Sequence, residues 1–410
     1  YWEQRGNQAR RDAVLAFDSN PYQVSNDRFF FFSYYLNENR SVMELDLKRS
    51  RRSLKEDGGC TATNPIDRCW RCRDDWSDNR QRLADCAIGF GRKTTGGKGG
   101  RIYTVNDSSD GDLVNPKEGT LRHAVIQSEP LWIVFSSDMT IRLSEELIMT
   151  SNKTIDGRGR RITIAGGAGI TLQYVSNVIL HNLRIHDIKP GSGGTIRDSP
   201  THFGFRTPSD GDAISMFGAT NIWIDHVSAA RCSDGLIDAI QASTAITISN
   251  CHFAQHNDVM LLGASDKSSE DQILQVTLAF NHFGTGLIQR MPRIRWGFVH
   301  IVNNDYTKWE MYAIGGSQHP TILSQGNRFH APDNAAAKEV TKREYSPESV
   351  WKNWNWKSQG DSFSNGAFFV ESGDKNFNYV SDSVGAKSGK EVGELTEFAG
   401  PLACFAGKAC

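Results

Sequence analysis

Two groups of charged residues lie in stretches that otherwise read as buried. The first is acidic: Asp225 in WIDH, then Asp234 and Asp238 in DGLID. DGLID reads as a strand, where residues four apart project from the same face, and the neighbouring segment is expected to bring Asp225 to the same place. Three carboxylates on one face repel one another unless a cation neutralises them. An all-oxygen donor set suits Ca2+ or Mg2+ rather than zinc. The competing structural reading is that these are ordinary turn aspartates, since Asp-Gly is a frequent turn pair. Asp210 and Asp212, in SDGDAIS, are read as turn and coil-entry residues, with support of the cation site as the sharper option. His226, beside Asp225, is read as a buried, hydrogen-bonded histidine rather than a base.

The second group is basic. QRMPRIRWG, residues 289–297, places Arg290, Arg293 and Arg295 within six positions. A guanidinium presents a planar fork of donors that matches a carboxylate bidentately. Three of them beside a cation site describe a surface for a polymer rich in carboxylates, and an acidic polysaccharide fits. Trp223, Trp296, Trp309 and Tyr312 offer faces for sugar stacking, or else belong to wall and core. Phosphate polymers are the competing ligand. The chain carries 46 Lys and Arg against 47 Asp and Glu, so no broad basic field supports nucleic-acid binding. The most apolar stretch, FFFFSYYL at 29–36, is too short to span a membrane.

What could position these groups is a repeat. NVILHNLRI, NIWIDHVS, AITISNCHF, VTLAFNHF, VHIVNNDY and TILSQGNRF are short β-branched runs, each with a polar residue near its end. Those residues, Asn182, His226, Asn250, Asn281, Asn304 and Asn327, are spaced by 44, 24, 31, 23 and 23. The first gap is read as two coils with one degenerate copy, and the 31 as one coil with a longer loop, GASDKSSEDQ. A repeat of 22–24 residues built from strands is the signature of a parallel β-helix. One coil cannot bury its own apolar face, so stacked coils share a core. Asn recurring in phase is expected to form an amide ladder through the turns. A jelly roll or sandwich would not give this spacing.

Residues 1–58 differ from the body. YWEQRGNQARRDAVLAF has helical character, and Pro21 ends it. KRSRRSLKE (48–56) is read as a solvated basic linker open to proteolysis. The chain begins at Tyr1, so a leader is expected to have preceded it. Eight cysteines, four of them at 60–86, point to disulfides in an oxidising compartment. CWRC has no second zinc pair at finger spacing. Sequons at Asn39, Asn106 and Asn152 agree with secretion.

With these segments assembled, a resemblance becomes specific. NIWIDHVS, DGLIDAIQASTAITISNCHF, HNDVMLLGASD, the long run from GLIQRMPRIRWG to SQGNRF, and NPIDRCWRC with NRQRLADCAIGFG resemble the plant pectate lyases, nearest to the pollen and anther members and related pollen allergens. The likeness covers about residues 58–410, and the N-terminal extension resembles the one preceding the catalytic domain in many plant members. It implies an all-β, right-handed parallel β-helix at 59–410 with a short, partly helical extension at 1–58. It also implies a Ca2+-dependent β-elimination on de-esterified α-1,4-galacturonan, in a secreted, monomeric cell-wall enzyme.

Position by position, the family's calcium aspartates match Asp225, Asp234 and Asp238. The catalytic arginine matches Arg290 and a substrate-binding arginine matches Arg295. Arg293 between them is carried as a substrate contact without an assured role. Bacterial relatives place a substrate-binding lysine where this chain has Asp258, so that contact is made differently. Many plant members read RMPRCRHG where Ile294 and Trp296 stand here. Arginine is ordinarily held protonated, so the role of Arg290 as base rests on the resemblance; crowding by Ca2+ and the neighbouring arginines acts in the direction a base needs. The expected cysteine pairs are Cys69–Cys86 and Cys404–Cys410, then Cys60–Cys72 and Cys232–Cys251. A polygalacturonase would need carboxylates spaced for hydrolysis, and a pectin lyase would not need the aspartates. The alternative function is a catalytically weak or inactive pectin-binding, allergen-like β-helix protein.

Overall fold

Each β-branched run of the repeat becomes one strand, and each coil adds one strand to each of three walls. The computed structural model describes residues 1–21, 60, 62–374 and 384–410. FFFFSYYL, KRSRRSLKE and the sequon at Asn39 lie outside the described residues. Among the described residues the walls are parallel sheets of ten, nine and eight strands. The ten-stranded wall runs from Arg101–Val105 to Trp356–Gln359. In it Val178, Ile222, Ile246, Val276, Val299 and Ile322 stack in register and all point into the core. Phe253, Phe283, Tyr306, Phe329 and Phe363 form a second column from the nine-stranded wall, with centroids 4.5–5.6 Å apart. This is the all-β parallel β-helix that the repeat predicts.

The 44-residue gap has a different origin from the expected one. Ser176–His181 pairs directly with Thr220–Asp225, so the two segments belong to adjacent coils and no copy is missing. The extra length is a loop that carries an antiparallel hairpin, Gly194–Ser199 with His202–Arg206, and then Asp210 and Asp212. A fixed-period reading counts such an insertion as a lost repeat.

The polar positions also split into two columns. Asn182, His226, Asn250 and Asn303 have φ between 50° and 62°. They turn the chain out of the ten-stranded wall in the left-handed region that Asn tolerates best among non-glycine residues. Their side chains tie down covering segments: Asn182 Nδ2 donates to the Leu402 carbonyl, and His226 contacts the Gly400 carbonyl and Asp67. The amide ladder lies one residue later. Asn281 Nδ2 donates to Asn304 Oδ1 at 2.9 Å, Asn304 Nδ2 to Asn327 Oδ1 at 3.0 Å, and Asn327 Nδ2 to Asp361 Oδ1 at 3.1 Å. Cys251 heads this column, its N–H donating to Asn281 Oδ1.

The outer face of the ten-stranded wall is covered by residues 64–93. Ile66, Trp70, Trp76 and Leu83 pack there against Trp132, Ile179 and Trp223. Disulfides Cys60–Cys72 and Cys69–Cys86 close this cover, and Cys404–Cys410 closes the C-terminal tail. The fourth expected pair does not form: Cys232 and Cys251 are free thiols, because Cys251 points into the core while Cys232 lies past the end of the strand Ser228–Ala230. At the N-terminus the helix Trp2–Ala16 buries Gly6, Ala9 and Ala13. It lies on the corner near Tyr174, and Tyr1 stacks on His202 at 3.7 Å.

Replacing Asn304 with alanine removes three donated and two accepted side-chain bonds from a fully buried ladder. Leaving such partners unmet costs about 1–3 kcal/mol each. Urea unfolding of Asn304→Ala is therefore expected to show a loss of about 2–4 kcal/mol, whereas an exposed Asn106→Ala change leaves the midpoint in place.

Candidate active site

The eight-stranded wall gathers the acids. Asp238 lies in the strand Ile237–Ile240, in register with Ser215 of Ile214–Phe217. Asp212 enters that second strand, and Asp234 precedes the first. Oxygens of Asp210, Asp212 and Asp234 lie within 4.8 Å of one another. Two glycines permit this approach. Gly211 turns at φ 101° between Asp210 and Asp212. At Gly235 a Cβ would collide with the carboxylates of Asp238 and Asp212, so its bare backbone instead donates to Asp212 Oδ1 at 2.6 Å. Ser215 Oγ donates to the other Asp212 oxygen at 2.7 Å, and the Leu261 N–H donates to Asp238 at 3.0 Å.

These few donors do not offset four carboxylates. Burial, then Asp210, pushes Asp212 up to about 7. Burial and Asp212 push Asp238 well above the ordinary carboxylate range. Burial, Asp210 and Asp258 raise Asp234. Acids that resist ionisation alone, on an all-oxygen wall, are what a hard divalent cation would neutralise. Their donor set fits Ca2+.

Asp225 does not join them. It ends the strand Thr220–Asp225 on the ten-stranded wall, fully buried. There it accepts from Ser249 Oγ at 2.6 Å and Asn250 Nδ2 at 3.0 Å, and lies 3.0 Å from His181 Nδ1. The expectation that a neighbouring segment shares the site fails because consecutive strands of a coil turn a corner onto different walls. Residues one coil apart share a wall, and this brings Asp210 and Asp212 to Asp234 and Asp238. The signal available in the sequence was SDGDAIS, in which Ser215 aligns with Asp238. His226 is the buried, bonded histidine expected: burial lowers its pKa, but Asp67 and Asp225 outweigh that and raise it.

The arginines lie further along the same wall. Arg293, in the strand Arg293–Ile294, shares a column with Leu261 and Asp238, and its Nε pairs with Glu344 at 2.9 Å. Arg295 donates from Nη1 to the Gly263 carbonyl at 2.8 Å, and its Nε lies 3.3 Å from Asp266. Burial, then Arg293 and Arg290 against the pull of Asp266, lowers its pKa. Arg290 takes φ 62°, and its Nε lies 3.1 Å from Asp258. Asp258, register partner of Gln289, faces both Arg290 and Asp234, and lines with Asp234 and His256 a cleft of about 460 Å³. Of the aromatic candidates, Trp223, Trp309 and Tyr312 are buried. Trp296 is half-buried and donates to the Ser265 carbonyl, so it alone keeps a face near the arginines.

A parallel β-helix with a carboxylate cluster and an arginine row on one wall defines a class of polysaccharide-handling protein. Residues 91–401 match the family model described as pectate lyase. A pectate lyase of Lilium longiflorum is 58% identical over 100% of this chain and 93% of its own length. The crystal structure of Jun a 1, the major allergen from cedar pollen, is 47% identical, with a TM-score of 0.81 over 83% of this chain and 99% of that one. A pectate lyase of Bacillus sp. N165, solved with trigalacturonate, shares the fold at 21% identity and a TM-score of 0.54, covering 77% of this chain and 99% of that one. The chain belongs to the pectate lyase family.

The raised acids set a pH dependence. An acid whose folded pKa lies above its unfolded value destabilises the fold as pH rises between the two, and the penalty is complete above the folded value. For Asp212 the window runs from the ordinary value of 3.8 to about 7. In chelator, the melting temperature is expected to fall across that window, and millimolar Ca2+ to restore it at pH 7. Asp212→Asn should flatten both responses in a thermal melt.

Proposed function

We propose that the protein is a Ca2+-dependent pectate lyase that cleaves de-esterified α-1,4-galacturonan by β-elimination, leaving a 4,5-unsaturated galacturonate at the new non-reducing end. The observation that carries this reading is the pairing of unneutralised carboxylates with an arginine row on one wall. Asp210, Asp212, Asp234 and Asp238 would hold the cation, with Asp210 and Asp212 taking the place first expected for Asp225. Bound there, Ca2+ supplies positive charge to the substrate's C6 carboxylate and so favours charge development at C5. Arg295, half-buried and held by Gly263 and Asp266, is placed to fork a substrate carboxylate and orient the sugar. Arg290, in its neutral guanidine form, would take the C5 proton; the C5–H electron pair forms the C4–C5 double bond, the C4–O bond breaks, and the departing oxygen takes a proton from solvent to become a hydroxyl. Asp258 and Asp266 hold Arg290 and Arg295 until a substrate carboxylate competes for them. Arg293, paired with Glu344, supports the row and is the least direct of the three contacts.

We further propose that residues 1–58 form an extension to the catalytic body at 59–410, and that the protein acts as a secreted monomer in the cell wall. No helix among the described residues is long and apolar enough to cross a membrane. Three disulfides and an exposed sequon at Asn106 support an oxidising, extracellular setting.

Incubation with polygalacturonate should yield ultraviolet-absorbing unsaturated product that disappears with chelator. Reducing ends without unsaturation would mean hydrolysis, and binding without product would mean the inactive, allergen-like alternative. Arg290→Ala should lower the rate by about 100-fold or more, the usual size of a lost acid–base group, at an unchanged melting temperature. Activity retained in that variant would remove Arg290 from the base role.

A further inference from the structure

Arginines also collect away from the acidic wall. Arg160, Arg161 and Arg184 line a pocket of about 160 Å³ with Phe405 of the C-terminal tail. Arg184 lies on Arg184–His186 of the nine-stranded wall. Asp138 is the one carboxylate in the lining, and one of its oxygens accepts the Arg161 backbone N–H at 2.8 Å. Arg160 donates only to the Ser136 and Gly159 carbonyls, both at 2.9 Å. The guanidinium groups of Arg161 and Arg184 have no bonded partner among the described residues. Burial and the nearby Arg161 push the Arg184 pKa down against a smaller opposing pull from Asp138. Three guanidinium groups thus face one carboxylate on a chain whose net charge is only −1.

The aromatic partner is held in place rather than loose. Phe405 is 66% exposed on a loop closed by Cys404–Cys410. One end of that loop is fixed by Leu402, whose N–H donates to Asn182 Oδ1 at 2.7 Å. The other end is fixed by Cys410, whose N–H donates to the Arg71 carbonyl at 2.8 Å. An exposed ring beside uncompensated arginines offers the two elements that recognise an acidic sugar: an apolar face for the ring and forks for its carboxylate.

We propose that this pocket is a secondary binding site for acidic oligosaccharide, with a uronate carboxylate between Arg161 and Arg184 and a sugar face on Phe405. It lies on a different wall from the acidic cluster, so a long polymer can be retained here while another stretch occupies the cleft. The identity of the ligand as galacturonan rests on the lyase reading, whereas the existence of the site does not.

The test uses the full chain and an Arg161→Ser/Arg184→Ser variant, with Phe405→Ala as a second variant altering only an exposed side chain. Affinity electrophoresis through polygalacturonate, run in chelator to silence the cleft, should show retention of the unaltered chain. The apparent Kd of the double variant should weaken by about tenfold, the size of one lost charge-assisted contact, with a smaller loss for Phe405→Ala. Turnover of trigalacturonate should be unchanged in both. Equal retention of all three proteins would overturn the proposal, as would a loss of trigalacturonate turnover in parallel with retention. If retention weakens in the double variant while the unaltered chain forms no unsaturated product in the presence of Ca2+, the lyase reading fails and the secondary site stands.

Discussion

Parallel strand pairing between coils is the constraint on which the rest of the structure depends. Neighbouring strands sit about 4.8 Å apart, so each residue is placed beside the one a coil earlier, whatever the intervening loop does. Ser215, Asp238, Leu261 and Arg293 are far apart in sequence, yet they form one column on one wall. A loop of any length can be inserted at a corner without disturbing the column. The long loop before Ile214 uses that freedom, delivering Asp210 and Asp212 beside Asp234 and Asp238. The price is paid at the corners, where non-glycine residues such as Asn182 and His226 hold left-handed backbone and need side-chain anchors to stay there.

The two charged groups on this wall are held in opposite ways. The acids are under-compensated: their donors are a serine hydroxyl and backbone N–H groups, Arg290 and His256 offset only part of the rise at Asp234, and burial with mutual repulsion raises three of them. The arginines each carry a resident carboxylate, Asp258, Glu344 or Asp266. A guanidinium already fixed by an acid loses little side-chain freedom when a substrate carboxylate replaces that acid. The acids, in contrast, gain most from an added cation. A ligand that combines carboxylates with a divalent cation satisfies both halves together, and a neutral, fully esterified polymer satisfies neither.

Much of this was legible in sequence because the repeat is local. The strands and the arginine row follow from short motifs, and three of the four expected cysteine pairs form, Cys60–Cys72, Cys69–Cys86 and Cys404–Cys410. The failures arise where a corner or an insertion breaks the simple period. Asp225 reads as a neighbour of Asp234, nine positions on, but the chain turns between walls in that interval. Asp212 reads as a turn residue in SDGDAIS, and the hairpin inserted before it hides that the strand it enters pairs with the strand of Asp238. The amide ladder was placed one residue early at Asn182 and Asn250, because asparagine serves two purposes here: left-handed corner and amide rung. Cys232–Cys251 failed for a related reason, since sequence proximity gives no warning that one side chain points into the core.

Asp258 links the two halves of the wall. It faces Asp234, which it helps to raise, and pairs with Arg290. A carboxylate at this place cannot bind a substrate carboxylate directly, as a lysine would. It can hold Arg290 while the cleft is empty, and it adds negative charge beside the proposed cation site. The same side chain therefore favours cation binding and restrains the arginine assigned to proton removal. On the lyase reading, bringing a cation and a galacturonate carboxylate into the cleft shifts both of its partnerships: the cation takes up the repulsion with Asp234, and the substrate competes for Arg290. On that reading, aspartate in place of the lysine of the bacterial pattern would couple release of Arg290 to loading of the acidic cluster.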